Sequence, residues 1–572
     1  MQDQGSSAPA VAAAMLPLQR LYAHERERPN AMYLSQPLAD GSVVEFSWAQ
    51  TMDQARRLAA YLRRQDWPPG THIALLGKNS AWWFIADFAI WMAGHVSVPL
   101  YHTLNAASIR QIIDHSGCRA CFVGRLDQPG VVDDGLPDGL PRIRLRDAAA
   151  SVSGADWDAI QRDTPPITDS PLRDAGDVAT IVYTSGTTGM PKGVMHCFGT
   201  LGLVSSMTTR MFGATADERL ISYLPLAHIA DRGFCQLASV QLGCCVYFAW
   251  GVETFVADMH RARPTLFLSV PRLWTKFQQG VSARMPPARL ALLLKLPLLR
   301  GLIRRKILRG LGLDAVRVAF SGAAPTPPDL FRWYRALGIE LLEVYGMSEN
   351  FGISHCGRVG QFQAGLIGPP WDGVHARINA GDGEVQVRSP GSMLGYYKAE
   401  ALTRDAFTDD GYLKTGDRGE ISRDGQLKIT GRIKEQFKTS KGKFVVPAPI
   451  ENRLSSGGRI EACCVTGGDE LPSPLALVML SADEHARCLR DADARLETQA
   501  WLEQRLADTN AELDRHERLV CLVVTAEAWT VENGMVTPTM KVKRNEIDAR
   551  YKRHIANWCA EKRPVIWAQA SS

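Results

Sequence analysis

Several features that mark other protein classes are missing from this sequence of 572 residues. No run of about 18 apolar residues occurs, and the nearest, SAWWFIADFAIWMAG at residues 80–94, is shorter and contains Asp87. This run predicts a buried helix and not a membrane span. The N-terminal sequence MQDQGSSAPAVAAAM lacks the basic start of a secretory signal and predicts a disordered tail over residues 1–20.

Charge and cysteine are also too sparse to support two common functions. The net charge is only +5, which gives no electrostatic case for a nucleic-acid partner. Twelve cysteines are present, but Cys118 and Cys121 in CRAC have no second such pair nearby. Because a structural zinc site normally needs four ligands, we expect buried thiols in a reducing cytoplasm.

The pattern of apolar runs predicts an α/β protein with more than one domain, since the chain is too long for a single core. Short apolar runs alternate with helical patterns such as residues 108–117, which favours a parallel sheet covered by helices. The runs are residues 73–77, 96–100, 121–124, 265–270 and 316–322. The Pro- and Asp-rich stretch 125–180 predicts a surface connection.

The residue pattern changes in the last third of the chain. From residue 383 onward, Asp-Gly turns between alternating residues predict hairpins in a small β-subdomain. A Lys-rich link follows Gly431 and leads to a smaller mixed segment. We therefore predict a large domain over residues 21–431 and a small α+β domain over residues 432–572.

One segment raises the question of phosphate binding, namely VYTSGTTGMPKGVMH at residues 182–196. A Walker loop needs G-x4-G-K-[ST], whereas here Gly186 and Gly189 are three apart and Lys192 is followed by Gly193. Glycine backbone, hydroxyl groups and one lysine can still surround an anion. The candidates are Thr184, Ser185, Gly186, Thr187, Thr188, Gly189 and Lys192. A flexible Gly/Thr turn is the alternative.

Residues 290–313, LALLLKLPLLRGLIRRKILRGLGL, are both apolar and basic. Such a segment can lie on an anionic bilayer or form a packed surface helix. Pro297 interrupts it, and the following VRVAFSG run needs a helix packed above it. The sequence favours the packed helix and leaves a peripheral membrane contact open.

The phosphate-loop candidate is followed by further segments in a fixed order, and together they resemble the adenylate-forming (AMP-binding) superfamily over residues 43–567. The segments are LPLAHIADR (224–232), SGAAP (321–325), VYGMSE (344–349), GLIGPPWDG (365–373), TGDRGEI (415–421), GRIKEQFKTSKGKFVVPAPIE (431–451) and TPTMKVKR (537–544). KTSKGKFVVPAPIE and NGMVTPTMKVKR resemble the long-chain fatty acyl-CoA synthetases, especially the bubblegum-like branch.

The resemblance implies a reaction in two halves on an adenylate-forming enzyme fold. A fatty-acid carboxylate attacks ATP to give acyl-AMP and pyrophosphate, and coenzyme A then displaces AMP. The implied cofactors are ATP, Mg²⁺ and coenzyme A. The first half-reaction brings an anionic carboxylate to an anionic triphosphate. It therefore needs cations and hydrogen-bond donors that point at the developing charge.

The resemblance also implies the nucleotide site. The ATP- and AMP-binding candidates beyond the loop are Gly322, Ala323, Ala324, Tyr345, Gly346, Met347, Ser348, Asp417 and Arg432. Tyr345 would stack on adenine, and Asp417 and Arg432 would hold the ribose. Glu349 would bind Mg²⁺, with Thr184 as a second candidate ligand. A core tyrosine and a turn aspartate are the ordinary alternatives for Tyr345 and Asp417.

The catalytic candidates implied by the resemblance are Lys541, Glu349, Lys192 and His228. Lys541 would bridge the carboxylate and the α-phosphate, and Lys543 is the competing assignment. Lys192 would hold the departing phosphates. His228 would lie near the acyl carboxylate, although a structural histidine is equally consistent with its context.

Coupling between the domains is assigned to the link after Gly431. Lys434 would be the hinge, or an ordinary linker lysine. The candidates for coenzyme A binding are Lys438, Lys441, Gly442 and Lys443, and a solvated basic loop is the alternative. The resemblance suggests a homodimer.

Three other functions remain open from the sequence. One is an acyl-AMP ligase that loads a carrier protein, although no insertion is evident between Gly431 and Glu451. Another is a coenzyme A ligase for a medium-chain or aromatic carboxylate. The third is a binding sensor with a decayed site, which the presence of all five polar candidates (Lys192, Glu349, Asp417, Arg432 and Lys541) disfavours.

Overall fold

The fold is described from a computed structural model, which covers residues 12, 15–184, 191–363, 365–455, 458–468, 471–537 and 541–569. Strands and helices are numbered in chain order within these residues. Three short helical turns carry no label. They are the π-helical turn Arg232–Leu237 and the 3₁₀ turns Ser348–Asn350 and Ile433–Glu435.

The strands belong to six sheets. They are β1 Met32–Pro37, β2 Val43–Ser47, β3 His72–Leu76, β4 Val96–Leu100, β5 Ala120–Val123, β6 Arg142–Arg144, β7 Ala155–Asp156, β8 Val178–Thr184, β9 Lys192–Cys197, β10 Arg219–Ser222, β11 Cys245–Phe248, β12 Leu266–Ser269, β13 Val318–Ser321, β14 Leu341–Tyr345, β15 His355–Cys356, β16 His375–Ile378, β17 Glu384–Arg388, β18 Gly395–Tyr396, β19 Leu413–Ile421, β20 Leu427–Arg432, β21 Phe437–Lys438, β22 Phe444–Val445, β23 Ile460–Thr466, β24 Leu475–Leu480, β25 Leu522–Val524 and β26 Val565–Trp567.

The helices lie between and over these sheets. They are α1 Pro17–Glu27, α2 Trp48–Arg63, α3 Ala81–Met92, α4 Ala106–Ser116, α5 Val131–Gly135, α6 Trp157–Asp163, α7 Phe198–Met211, α8 Ile229–Asp231, α9 Ala238–Leu242, α10 Phe255–Ala262, α11 Pro271–Arg284, α12 Pro287–Lys295, α13 Pro297–Leu311, α14 Pro328–Leu337, α15 Glu400–Ala406, α16 Pro447–Leu454, α17 Ala482–Arg490, α18 Ala492–Ala511 and α19 Arg544–Ala560.

The largest sheet has eight strands in the order β18-β9-β8-β4-β3-β5-β6-β7. Its strands from β8 to β7 run parallel, as the apolar runs predicted, while β9 and β18 add an antiparallel edge. Helix α3 packs beside this sheet with all 12 of its residues buried, and the Ser80 side chain caps its first turn. The buried-helix prediction for residues 80–94 is confirmed.

Two four-stranded sheets complete the large α/β part. One has the order β10-β11-β1-β2 and the other β12-β13-β14-β15, and each is parallel except at its last pair. The mostly parallel, helix-covered architecture predicted from the sequence is therefore confirmed. Tyr345 is the last residue of β14, and Glu349 follows on the 3₁₀ turn Ser348–Asn350.

The stretch 125–180 is not simply a surface connection. Strands β6 and β7 extend the eight-stranded sheet within it, and Trp157 at the start of α6 is only 2% exposed. The prediction gave weight to proline and aspartate but missed RIR and the buried tryptophan, because three-residue strands have too little periodicity to detect.

The later part of the chain forms two further units. Strands β16, β17, β19 and β20 make an antiparallel sheet, in agreement with the predicted hairpins. After Arg432, a 3₁₀ turn leads to the β21–β22 hairpin and to a sheet ordered β23-β24-β25-β26, which is flanked by α16 to α19. This sheet encloses its own apolar core.

Two contacts join the large α/β part to the part of the chain that follows Arg432. Gln279 of α11 donates a hydrogen bond to the Gly458 carbonyl at 2.8 Å, and Arg272 pairs with Glu461.

Among the described helices, none is both long and apolar enough to cross a membrane.

Candidate active site

The strands around the predicted phosphate loop explain why it departs from the Walker pattern. Strands β8 and β9 are antiparallel, and Thr184 lies directly opposite Lys192. The intervening loop therefore joins two strands of a hairpin, whereas a Walker loop joins a strand to a helix. Five of its candidates, Ser185, Gly186, Thr187, Thr188 and Gly189, lie outside the described residues.

Glu349 lies on a short turn that follows β14 and is held from two sides. A Cβ atom on Gly346 would lie 2.3 Å from the Gly352 carbonyl carbon, so only glycine fits there. The Asn350 side chain accepts from the Met347 N–H at 2.9 Å. His196 Nε2 on β9 donates to the Ser348 carbonyl at 2.8 Å.

Tyr396 connects two of the predicted catalytic residues. Its hydroxyl donates to Glu349 Oε1 at 2.8 Å, and its ring centroid lies 5.0 Å from the Lys192 ammonium nitrogen. Burial, and then the Glu349 charge, raise the pKa of the phenol, so the hydroxyl keeps its proton. Sequence reasoning missed this residue because the GYYK segment has no glycine-rich or charged spacing.

The ribose candidates form one group, joined by an ion pair and a hydrogen bond. Asp417 and Arg432 face each other across β19 and β20. Asp417 Oδ1 lies 2.9 Å from Arg432 Nε in an ion pair, and Oδ2 accepts a hydrogen bond from the Tyr345 hydroxyl at 2.6 Å. Asp417 is 7% exposed and Arg432 is half-exposed. The carboxylate is therefore fixed in orientation, and its remaining lone pairs can accept further donors.

The segment Gly322–Ala324 follows β13 and lies against β14. A Cβ atom on Gly322 would come within 2.5 Å of Val344 Cγ2, and Ala323 has a φ of +66°, an unusual value for a residue with a side chain. Small residues are needed for this close approach. That property agrees with their predicted place in the nucleotide site but does not test it.

The loop that carries His228 is supported by a buried aspartate. The Asn79 amide donates to Ser222 Oγ, to the Leu224 carbonyl and to Asp231 Oδ2, at 2.9, 2.7 and 3.0 Å. Burial raises the pKa of the Asp231 carboxyl to about 7. His228 directly precedes α8 and caps it, because its Nδ1 accepts a hydrogen bond from the Ala230 N–H at 3.1 Å.

Arg232, at the end of the same loop, forms a fully buried ion pair with Asp87 of α3. The Nη2–Oδ2 distance is 2.7 Å, and both side chains are 0% exposed. Arg232 also donates to Thr180 and Ser97 on the central strands, and Gln236 donates to Asp87. These bonds attach the loop to the sheet, so Arg232 has a structural part in positioning the site.

Lys541 brings the C-terminal segment to this site. Its ammonium interacts electrostatically with Arg432, with Asp417 and Glu349, and with His228. The Lys541 side chain is exposed to solvent. Desolvation by the surrounding protein atoms, and then the Arg432 charge, nevertheless lower the pKa of its ammonium. Burial and the Lys541 charge lower the pKa of His228 to about 4, so its ring is neutral.

The backbone around Lys541 is held from both ends of its segment. Val536 pairs with Val542, and the Lys541 N–H donates to Thr537 Oγ1 at 3.1 Å. Arg544 then donates to Glu451 Oε1 at 2.6 Å and to the Val465 carbonyl. Lys543 lies just before α19, and its N–H donates to the Met535 carbonyl at 2.8 Å. The sequence did not reveal Arg544 as the anchor.

The coenzyme A candidates lie on an exposed hairpin. Lys438, Lys441, Gly442 and Lys443 lie in or beside the turn between β21 and β22. Gly442 has a φ of +71°, and a Cβ atom there would meet nothing within 4 Å. In this arrangement the turn conformation explains the glycine, and its part in coenzyme A binding stays a prediction. Lys434 is exposed on the turn after β20.

Comparisons with known proteins agree with this geometry. The family described as "AMP-binding enzyme" matches residues 21–397, and "AMP-binding enzyme C-terminal domain" matches residues 434–562. The chain is 30% identical to the long-chain-fatty-acid–CoA ligase FadD15 of Mycobacterium bovis, over 94% of this chain and 95% of that protein. It is 29% identical to the peroxisomal long chain acyl-CoA synthetase 6 of Arabidopsis thaliana, over 91% and 83%.

Solved structures show the same fold. The anthranilate CoA ligase AuaEII in complex with anthranoyl-AMP has a TM-score of 0.78 at 19% identity, covering 96% of this chain and 100% of that one. ATP-bound MatB from Rhodopseudomonas palustris has a TM-score of 0.72 at 22% identity, covering 94% and 99%. The chain therefore belongs to the AMP-binding enzyme family and has the fold of the adenylate-forming enzymes.

Proposed function

We propose that this protein is a long-chain fatty acid–CoA ligase that forms acyl-AMP from ATP and then acyl-CoA, AMP and pyrophosphate. The observation that carries the proposal is that the Lys541 ammonium lies within electrostatic range of Asp417, Arg432, Glu349 and His228. The names of relatives with about 30% identity over most of the chain support the choice of a long-chain fatty acid.

In the first half-reaction, the protein must bring a carboxylate to the α-phosphate. We assign Asp417 and Arg432 to the ribose, Tyr345 to the adenine and Lys192 to the β- and γ-phosphates. Lys541 would neutralise charge where the carboxylate and α-phosphate meet, which is where the transition state gains most from a fixed cation. Neutral His228 would adjoin the acyl end without adding charge.

The described residues suit Mg²⁺ only if the substrate completes its coordination. No cluster of three or more Asp, Glu, His or Cys side chains suited to a metal occurs in the described part of the chain. Mg²⁺ typically takes one or two carboxylates and fills its octahedron with water and phosphate. Glu349 fits this role, with Thr184 as a second candidate, and the ion would neutralise phosphate charge.

The second half-reaction would need a different position of the C-terminal part. Lys541 would have to leave the site for a thiol to reach acyl-AMP. The 3₁₀ turn that carries Lys434 follows directly after β20, where a change in backbone angles would swing everything beyond it. We assign the exposed lysines Lys438, Lys441 and Lys443 to the phosphates of coenzyme A and Gly442 to the thiol path.

We expect AMP release that requires both coenzyme A and a long-chain acid. The measurement is AMP formation with acetate, octanoate, palmitate and benzoate, each with and without coenzyme A. The highest kcat/KM with palmitate supports the proposal. The highest value with octanoate or benzoate replaces the substrate class, and acyl-AMP formation without transfer to coenzyme A favours a carrier-protein ligase.

The contact between Tyr396 and Glu349 gives a second prediction. Tyr396→Phe keeps the ring beside Lys192 but removes the hydroxyl that donates to Glu349. Removing a hydrogen-bond partner that orients a metal-binding carboxylate typically lowers metal affinity about 10- to 100-fold, so we expect the apparent affinity for Mg²⁺ to fall by about that factor. Pyrophosphate exchange measured over a range of Mg²⁺ concentrations reports this change.

Tyr397→Phe is the matched control, because Tyr397 is adjacent and its ring packs against His72 and His115 instead. The control should keep the Mg²⁺ dependence of the unmodified protein. Identical Mg²⁺ dependence in Tyr396→Phe would show that the hydroxyl does not position Glu349.

The same proposal includes four further properties of the protein. They are membership of the bubblegum-like branch, a homodimer, a cytoplasmic location, and a boundary between the two domains at residues 431 and 432. The predicted tail over residues 1–20 is too long, because α1 begins at Pro17 and Leu18 is buried. We also propose a peripheral contact with a membrane, because the substrate would be a lipid. Light scattering checks the dimer, and limited proteolysis near Gly431 checks the domain limits.

A further inference from the structure

Helices α12 and α13 form a pair whose outer face is uncovered. Helix α12 buries only Leu290, and α13 buries none of its 15 residues. Leu298 is 92% exposed, Leu302 64% and Leu292 62%. We call this face the α12–α13 surface, and it comprises Leu292, Leu296, Leu298, Leu299 and Leu302 with the basic residues between them.

The other side of the pair is firmly attached to the fold. Leu308 and Leu311 pack against the core cluster that includes Trp274 and Tyr334. Arg304 Nε donates to the Ala336 carbonyl at 2.8 Å. The packed helix that the sequence favours therefore describes only one face of the pair. The leucines on the opposite face do not contribute to the core.

The charge of this segment has one sign. Residues 287–311 contain seven lysines and arginines and no acidic residue, in a chain whose net charge is +5. The basic residues are Arg289, Lys295, Arg300, Arg304, Arg305, Lys306 and Arg309. A surface that is both apolar and cationic matches the acyl region and the anionic headgroups of a bilayer.

We propose that the α12–α13 surface docks on an anionic lipid bilayer, with both helices in the plane of the interface. The leucines would enter the acyl boundary, while the long stems of lysine and arginine reach the headgroups. Helices of 9 and 15 residues are too short to span the bilayer. The choice of a bilayer over an acidic protein rests on the proposed function, since long-chain fatty acids partition into membranes.

Vesicle flotation tests the docking directly and needs no catalysis. The protein is mixed with vesicles of phosphatidylcholine alone or with about 30% phosphatidylglycerol. We expect binding to the anionic vesicles that weakens as salt rises, because surface charge attraction is screened. Leu298→Ser with Leu302→Ser should lower the partition coefficient at least about 10-fold. Arg300→Gln with Arg305→Gln should lower it by a similar factor on anionic vesicles only.

Leu489→Ser with Leu496→Ser is the matched control, since these leucines are 73% and 65% exposed on α17 and α18. The control should float like the unmodified protein. The proposal is overturned if the Leu298/Leu302 variant floats equally well, or if the unmodified protein does not float. It is also overturned if light scattering shows that this variant dissociates a dimer, because the surface then faces a second copy.

The same variants separate this proposal from the proposed function. Pyrophosphate exchange with detergent-dispersed palmitate should be unchanged in the Leu298/Leu302 variant, because its substitutions lie outside the site. Flotation of a protein without exchange would refute the ligase and leave the docking intact. Exchange without flotation would refute the docking alone.

Discussion

Lys541→Ala should lower fatty-acid-dependent pyrophosphate exchange by about 100- to 1,000-fold, the loss typical when one fixed electrostatic group is removed from a transition state. Thioester formation from supplied acyl-AMP and coenzyme A should stay within about threefold of the unmodified rate. The reason is that Lys541 is contributed by the C-terminal part and acts only while it interacts with Asp417 and Arg432. The two half-reactions are measured separately.

Lys543→Ala is the matched control for this prediction. Lys543 lies two residues along the same segment, but α19 begins directly after it. The control should retain most of both half-reactions. Equal losses of both half-reactions in Lys541→Ala would contradict a role limited to adenylation, and a larger loss in Lys543→Ala would move the assignment to that residue.

Arg232→Met should have the largest effect on stability. It leaves Asp87 fully buried and without its ion-pair partner, which costs about 3–5 kcal/mol. The measurement is urea unfolding of the large α/β part, followed by tryptophan fluorescence. Trp83 and Trp91 lie beside Arg232, each with its ring centroid 5.6 Å from the guanidinium carbon, so they report on this region.

The double variant Asp87→Leu with Arg232→Met separates the ion pair from packing. Removing both charges leaves no uncompensated ion, so the double variant should be more stable than Arg232→Met alone. An unfolding midpoint in Arg232→Met equal to that of the unmodified protein would contradict this account of the loop's support.

Much of the fold could be predicted because its signals are local. Strand β4 coincides with the VSVPL run at residues 96–100, and α3 begins after Ser80, which caps it, and ends within the predicted range. Buried parallel strands give short continuous apolar runs, and their length separates them from the longer run of α3. The short strands β6 and β7 were missed because so few residues carry no detectable period.

The candidate site was less accessible to sequence reasoning where its contacts are long-range. Tyr396 bonds to a residue 47 positions away, and Arg544 bonds to one 93 positions away. No local pattern marks such partners. The family resemblance supplied Glu349, Asp417 and Lys541 as candidates. Only the fold shows that the charge of Lys541 interacts with the other two, and that Asp87 and Asn79 hold the loop at residues 224–232.

Fatty-acid-dependent exchange between pyrophosphate and ATP, measured without coenzyme A, tests the central claim most directly. It reports reversible formation of acyl-AMP, the step for which Lys192, Glu349, Asp417, Arg432 and Lys541 are assigned. We predict clear exchange with palmitate and Mg²⁺ and none without the acid. Absence of exchange at every chain length would contradict the account and favour a binding sensor with an inactive site.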